Sequence, residues 1–384
     1  LVTCTVNELN KRRLSICHII SGLGTGGAER MLERLLSLAP ENQVVISLSV
    51  AGPQAEAIKR LGVSVYALGL KLSPDLPLRL LAFARLLRQI KPDVVVGWMY
   101  HGNLAASFGG VVCNAPVVWN VRHSVHDLSH EKFGLRAVIH AGSWISFHPR
   151  EIVYNSEVAA EQHQRLGYKA DRSSVLPNGF ETQQYVPDPV ARAEVRAELE
   201  LTSDAFLVGH VARYHPMKDH KGFLNAAARL VKTVSAAQFL MIGFGVTEEN
   251  TELVDEIERL GLSGRVHLLG ERQDIPRLMA AFDVQVSSSV WGEGFPNVVG
   301  EAMACGVPAV VTDIGDSSRL VGNVGRVVPP GDTAALCDAL EGLYAMGAEA
   351  RAQLGVAARK RAVDEFDLLK ISGKYYALWA ACVT

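Results

Sequence analysis

The chain predicts an α/β protein built from two doubly wound, Rossmann-like domains. Three observations predict it. Short apolar runs alternate with amphipathic stretches almost throughout, which is the rhythm of a parallel sheet covered by helices on both faces. The rhythm lapses once, near 185–204, and then restarts. The length, 384 residues, exceeds what a single typical core organises.

The first series of apolar runs, 14–21, 43–50, 63–68, 93–98, 116–121 and 151–155, reads as buried strands, with helices such as 28–38 and 76–90 between them. Residues 185–203 hold Pro187, Pro189 and a charged Ala/Glu/Arg segment. That composition suits a linker, 185–204, between a domain over 1–184 and a second over 205–365. The second series of strands is 206–212, 238–242, 265–269, 283–287 and 308–312. The last stretch, about 368–383, is apolar enough to pack as a helix on another surface.

Composition narrows the class. Hydrophobic residues are 48% and charged residues 20%, an ordinary globular balance, and the net charge of −2 supplies no basic field for nucleic acid. Six cysteines, Cys4, Cys17, Cys113, Cys305, Cys337 and Cys382, are scattered without a C-x-x-C pair. They read as reduced thiols of a cytoplasmic protein rather than a disulfide frame or zinc site. The first twelve residues lack the apolar centre of a signal peptide. No run of about eighteen apolar residues is present to span a membrane.

Four segments carry chemistry. In Ser288-Ser289-Val290-Trp291-Gly292-Glu293-Gly294-Phe295-Pro296-Asn297-Val298-Val299-Gly300-Glu301, two glutamates stand eight apart. Pro296 suits the first turn of a helix, where a missing N–H costs nothing. Glu301 then falls over the second turn, about 7–8 Å up the axis. A helix N-terminus flanked by carboxylates suits a ligand with phosphates in its middle and hydroxyls at both ends, such as a nucleotide sugar. In Gly22-Leu23-Gly24-Thr25-Gly26-Gly27-Ala28-Glu29-Arg30, glycines between a strand and a helix formally satisfy G-x-G-x-x-G. The second strand ends Ser47-Leu48-Ser49-Val50-Ala51-Gly52, without the acid that a dinucleotide site needs. Glycines here allow positive φ and leave no side chain in the way. Arg213 and Lys218 follow the first strand of the second series, two cations at one strand mouth that suit a diphosphate. Trp119-Asn120-Val121-Arg122-His123-Ser124-Val125-His126-Asp127 puts histidines at a strand's carboxyl end.

Together these segments resemble the retaining glycosyltransferases of family 4, with their E-x7-E motif, Gly-Gly-Ala-Glu-Arg opening and Gly-Arg…Lys segment (Ala212 stands where Gly is usual). The likeness covers nearly all of 14–365 and is strongest over 205–330. It implies the GT-B fold, two Rossmann-like domains facing a central cleft, with the C-terminal helix, 366–384, crossing back to the first. It implies that Gly24, Gly26 and Gly27 let the backbone approach the donor phosphate. Arg213 and Lys218 would hold the pyrophosphate, Glu293 the sugar hydroxyls and Glu301 the ribose. Because Pro296 has no N–H, a backbone contact to the donor must come from Phe295, Asn297 or Val298. The match at Leu268-Leu269-Gly270-Glu271-Arg272 puts Arg272 on the donor side. His123 best matches the histidine that touches the sugar or acceptor, with Arg122 beside it and His126 as the alternative.

The implied activity is retaining transfer of a hexose from a UDP- or GDP-linked donor to a glycan or lipid-linked acceptor in polysaccharide or glycoconjugate biosynthesis. The resemblance also implies front-face attack by the acceptor hydroxyl, aided by the departing phosphate, without a settled protein nucleophile. No Asp-x-Asp motif stands out and the cations supply charge, so neither metal nor cofactor is expected. Residues 128–150 mix Lys132, Arg136 and Arg150 with Phe133, Trp144 and Phe147. They read equally as a peripheral contact at the inner membrane face or as a core-facing helix with snorkelling cations. The rivals are a nucleotide-sugar sensor or inactive partner subunit, a hydrolase using Glu293 and Glu301, and a Rossmann oxidoreductase.

Overall fold

The computed structural model describes residues 14–24, 26–70, 74–125, 128–202 and 204–383. Two compact units are present: one runs to Gly179 and regains the chain from Leu368 onward, and the other is Phe180–Asp367.

The first unit is a parallel sheet of β1 (Ile16–Ile20), β2 (Gln43–Ser47), β3 (Ser64–Ala67), β4 (Val94–Trp98), β5 (Val117–Val121), β6 (Glu151–Tyr154) and β7 (Ser173–Val175). Their order is β3-β2-β1-β4-β5-β6-β7. The central strands β1, β4 and β5 are buried at every residue, as continuous Val/Ile runs in a doubly covered sheet should be. Helix Gly27–Leu38 buries Met31, Leu32, Leu35 and Leu36 on one stripe. Helix Leu368–Val383 supplies Ile371, Tyr375 and Trp379 to the same core, all fully buried.

The second unit is a parallel sheet of β8 (Phe206–Val211), β9 (Ala237–Ile242), β10 (Val266–Leu268), β11 (Val284–Ser287), β12 (Ala309–Thr312) and β13 (Arg326–Val328), ordered β10-β9-β8-β11-β12-β13. The order reverses between β8 and β11, which pair directly. The crevice outside their carboxyl ends is where such sheets bind ligands.

One expectation needs correction. Residues 185–204 are not a linker. They carry helix Pro189–Glu198, capped by Asp188, with Val195 in the second unit's core. Arg192 and Arg196 both reach the Asp283 carboxylate, at 2.7 and 2.5 Å. The prolines that suggested a break instead start the helix, since Pro189 sits in its first turn. The three-residue edge strands β7 and β13 were also unforeseen, being too short to show a period.

Candidate functional site

The site of the second unit grows from β8 and β11. After β8 the chain runs through Arg213 to a short turn, Pro216–Lys218, and Asp219 adopts φ 49. Asp219 then caps helix His220–Leu230, accepting from the Gly222 N–H at 3.0 Å. The turn is stitched to the strand beside it. Val290 N–H donates to the Met217 carbonyl at 2.9 Å, and Ser288 Oγ donates to the Lys218 carbonyl at 2.8 Å. His210 Nε2 lies 3.0 Å from the same Ser288 Oγ, whose one proton is already spent, so His210 donates. Burial, and then the nearby His220 and Lys218 charges, push the His210 pKa well down and keep that ring neutral.

Lys218 Nζ is bonded to the Glu293 carboxylate, which also accepts from Ser289 Oγ at 3.0 Å. Both side chains are largely covered, Lys218 at 19% exposure and Glu293 at 13%. The Glu293 loop is held from behind by Gly315, at φ +59, where a Cβ would stand 2.3 Å from the Glu293 carbonyl oxygen. Asp316 N–H donates to the Gly294 carbonyl at 2.9 Å. Arg213 is exposed and makes no ion pair among the described residues.

Helix Asn297–Ala304 begins at the end of this loop. Pro296 is its cap rather than its first turn, with φ −75 and ψ 108, so Asn297, Val298 and Val299 hold the leading N–H groups. The Phe295 side chain belongs to the core: it is 5% exposed and its ring stacks at 6.0 Å on Phe180. Gly300 lets the helix close on Phe180, where a Cβ would lie 2.0 Å from the ring. Glu301 is 1% exposed on the second turn. Its charge, after burial itself, raises the Cys305 pKa to about 12. Arg272 follows β10 and is committed to Asp274 by two hydrogen bonds of 2.8 Å. The structure therefore brings Lys218 and Glu293 into contact, and it does not join Arg272 to them.

In the first unit the glycine loop follows β1. None of Gly22, Gly24, Gly26 and Gly27 has positive φ, so that reason for glycine is set aside. A Cβ at Gly24 or Gly27 would meet nothing within 4 Å, while one at Gly26 would meet the Glu29 carboxylate at 2.4 Å. Arg122, read as a sugar or acceptor contact, is committed elsewhere. It donates to the Tyr375 hydroxyl at 2.7 Å and to Asn178, and lies over the Trp98 ring at 5.7 Å. It pins the end of β5 to the C-terminal helix. His123 lies beside Tyr100, its Nδ1 3.3 Å from the hydroxyl, and faces Glu131 at 3.4 Å through Nε2. His126 lies outside the described residues.

Comparisons with known proteins agree across both units. A family model described as Glycosyltransferase Family 4 matches residues 25–184, and one described as Glycosyl transferases group 1 matches residues 205–346. The chain belongs to glycosyltransferase family 4. EpsF of Bacillus subtilis is 34% identical to this family 4 chain over 143 residues, 37% of the chain and 36% of EpsF, so the match spans about a third of that relative. The Escherichia coli UDP-Gal:alpha-D-GlcNAc-diphosphoundecaprenol alpha-1,3-galactosyltransferase is 26% identical over 336 residues, 81% of this chain and 82% of that protein. The crystal structure of Anabaena HepE in complex with UDP superposes with a TM-score of 0.86 at 23% identity, over 96% of this chain and 100% of HepE. Each unit has the Rossmann-like architecture of the GT-B fold.

In this family 4 chain the motifs pointed at side chains but missed those that hold them. Ser288, Ser289 and His210 brace Lys218 and Glu293, and Tyr100, His163 and Glu131 surround His123. Ser288 and Ser289 adjoin the Glu293 loop, His210 stands eight residues before Lys218 and Glu131 eight after His123, so these were within local reach; Tyr100 and His163 come from more distant segments.

Proposed function

We propose that the protein is a retaining hexosyltransferase that takes its sugar from a UDP- or GDP-linked donor and delivers it to a glycan or lipid-linked acceptor. The observation that carries this reading is the juxtaposition of Lys218, Glu293 and the start of helix Asn297–Ala304 at the reversal point of the second sheet. The leaving group of such a reaction is a diphosphate. Arg213, uncommitted among the described residues, can grip it with a planar fork, and Lys218 can meet it as a point charge. The N–H groups at the helix start add a fixed positive field. These groups stabilise charge that develops as the bond to the diphosphate breaks, which is where preorganised donors act most. We assign Glu293 to the sugar hydroxyls once the diphosphate has taken Lys218, and Glu301 to the ribose. His123 is assigned to a sugar or acceptor hydroxyl.

The relatives support the donor and acceptor classes. HepE was crystallised with UDP, and the Escherichia coli relative is named for a UDP-sugar and a diphosphoundecaprenol-linked acceptor. Helix Phe133–Ile145 supports a peripheral membrane contact. It buries Ile139, Gly142 and Ser143, while Phe133 is 83% and Trp144 80% exposed, with Phe147 at 58% just beyond it. A core-facing helix explains the first three residues and leaves the aromatics unexplained. No helix among the described residues is long and apolar enough to cross a membrane.

A donor screen tests the function. Release of nucleoside diphosphate from a panel of nucleotide sugars, with a polyprenyl-diphospho-sugar acceptor, should single out one donor. NMR of the product should show the donor's anomeric configuration kept; inversion would overturn the retaining assignment. We also assign the diphosphate's charge to the two cations rather than a metal, so EDTA should leave turnover unchanged, and a magnesium-reversible loss would reject that assignment.

A further inference from the structure

Tyr100 sits on helix Met99–Cys113, His123 just past β5, and His163 on helix Glu157–Arg165. The Tyr100 ring stacks on His163 with centroids 5.7 Å apart and meets His123 edge-on at 6.1 Å. Protons can be counted through these contacts. His163 Nδ1 lies 2.7 Å from the Ala159 carbonyl oxygen, which only accepts, so Nδ1 carries a proton. The ring is fully buried with no counter-charge, and burial pushes its pKa to about 4, so it is neutral and Nε2 is a bare acceptor. The Tyr100 hydroxyl, 2.9 Å away, donates to it. A hydroxyl has one proton, so toward His123 Nδ1 the same oxygen can only accept. His123 Nδ1 must therefore be protonated. Burial lowers the His123 pKa against the opposing pull of Glu131, so near pH 8 the ring carries that proton alone. Its Nε2 lone pair then faces Glu131 Oε1 at 3.4 Å, acceptor to acceptor.

We propose that Tyr100 and His163 are positioning residues that lock His123 in its Nδ1–H tautomer, so that Nε2 and the Glu131 carboxylate jointly receive a substrate hydroxyl. Two acceptors facing each other across one gap select for a donor, and a sugar hydroxyl supplies it. The tautomer stands on the contacts above; the hydroxyl rests on the transferase reading. Among the described residues the titratable groups around His123 are Tyr100, Glu131 and His163, with Tyr154 and Tyr168 behind His163 at 5.4 and 5.1 Å between ring centroids. As pH falls through the His123 pKa, Nε2 gains a proton, donates to Glu131 and is lost as an acceptor. Turnover should fall with it.

The test is ring-nitrogen NMR on the full chain labelled with 15N-histidine at pH 8, with the His123 signals assigned by their loss in His123→Asn. The wild type should show His123 protonated at Nδ1 and bare at Nε2. In Tyr100→Phe the proton should move to Nε2, where it can bond Glu131, and turnover should drop about tenfold, the worth of one ordinary to strong hydrogen bond. A wild-type ring protonated at Nε2 overturns the proposal, and so does a folded Tyr100→Phe chain whose His123 keeps its tautomer. Should that variant not fold, the wild-type spectrum still decides. A wild type inert toward every nucleotide sugar would reject the transferase reading and leave the tautomer to the same spectrum.

Discussion

Replacing Glu293 with Gln should strengthen nucleoside-diphosphate binding while reducing turnover. The cation assigned to the diphosphate is already paired: Lys218 Nζ is bonded to Glu293, and both are mostly shielded from water. Two unit charges about 4 Å apart attract by roughly 4 kcal/mol at an effective dielectric near 20. Desolvation and screening reduce the net worth of such pairs to about 1 kcal/mol. An arriving diphosphate must displace the carboxylate and forfeit that net term. Gln keeps the shape and can still accept from Ser289, which lies 3.0 Å from the carboxylate in the native chain, but it carries no charge to displace. Affinity for UDP or GDP should therefore rise about fivefold at low salt, and the gain should shrink as ionic strength screens the pair. Turnover should fall roughly a hundredfold or more, because the sugar loses its positioning carboxylate. Calorimetry at two salt concentrations and a single-turnover assay separate the two effects. A folded Gln variant that binds the diphosphate tenfold more weakly would refute the reasoning, since Glu293 would then help hold the nucleotide rather than occupy its cation.

Three further outcomes follow from the same geometry. Arg213→Ala should cut turnover by orders of magnitude, about 3–4 kcal/mol of barrier. Its Tm should stay unchanged, because Arg213 is exposed and makes no ion pair among the described residues; near-normal kcat in this variant would remove Arg213 from the site. Glu301→Ala should weaken diphosphate binding at least tenfold, a charged hydrogen bond being worth about 1.5–3 kcal/mol, and unchanged affinity by calorimetry would exclude it. Stability should also fall in acid. Burial lowers His18, His163 and His220 from 6.5 to about 4, so below pH 6.5 the unfolded chain binds protons that the folded chain refuses. Their contribution is intact above 6.5 and is lost as pH falls toward 4. A Tm by circular dichroism that stays level over that range would show these rings to be charged in the fold.

How much of this was legible in the sequence depends on the distance over which each feature is decided. The strands and their division into two series follow from local runs such as 94–98 and 117–121, whose continuous apolar character is itself the signature of a doubly covered strand. The placement of Glu293 and Glu301 was legible for the same reason: they share one loop and the helix after it, and their spacing fixes their relative height. The commitments of individual side chains were not legible. Arg122 looks like a ligand cation beside His123 until Tyr375, 253 residues away, takes its Nη1. Phe295 sits inside the motif, yet Phe180 and Phe366 claim its ring for the core.

Distance along the chain also explains why the glutamate motif does not reveal the partner of Glu293. Local spacing says which groups stand near a ligand. Whether a group is free to meet that ligand depends on competitors, and the competitor for Lys218 lies 75 residues along the chain. A cation and a carboxylate, each suited to a different part of one substrate, will find each other when the substrate is absent, because leaving either charge covered and unpaired costs more than pairing them. On the proposed assignment, a diphosphate that takes Lys218 would also release Glu293 for the sugar. On that account the nucleotide and sugar subsites are energetically coupled through one ion pair, and a double substitution, Lys218→Met with Glu293→Gln, should show effects on diphosphate affinity that fail to add. Strict additivity in that cycle would mean that the pair carries no coupling between the two subsites.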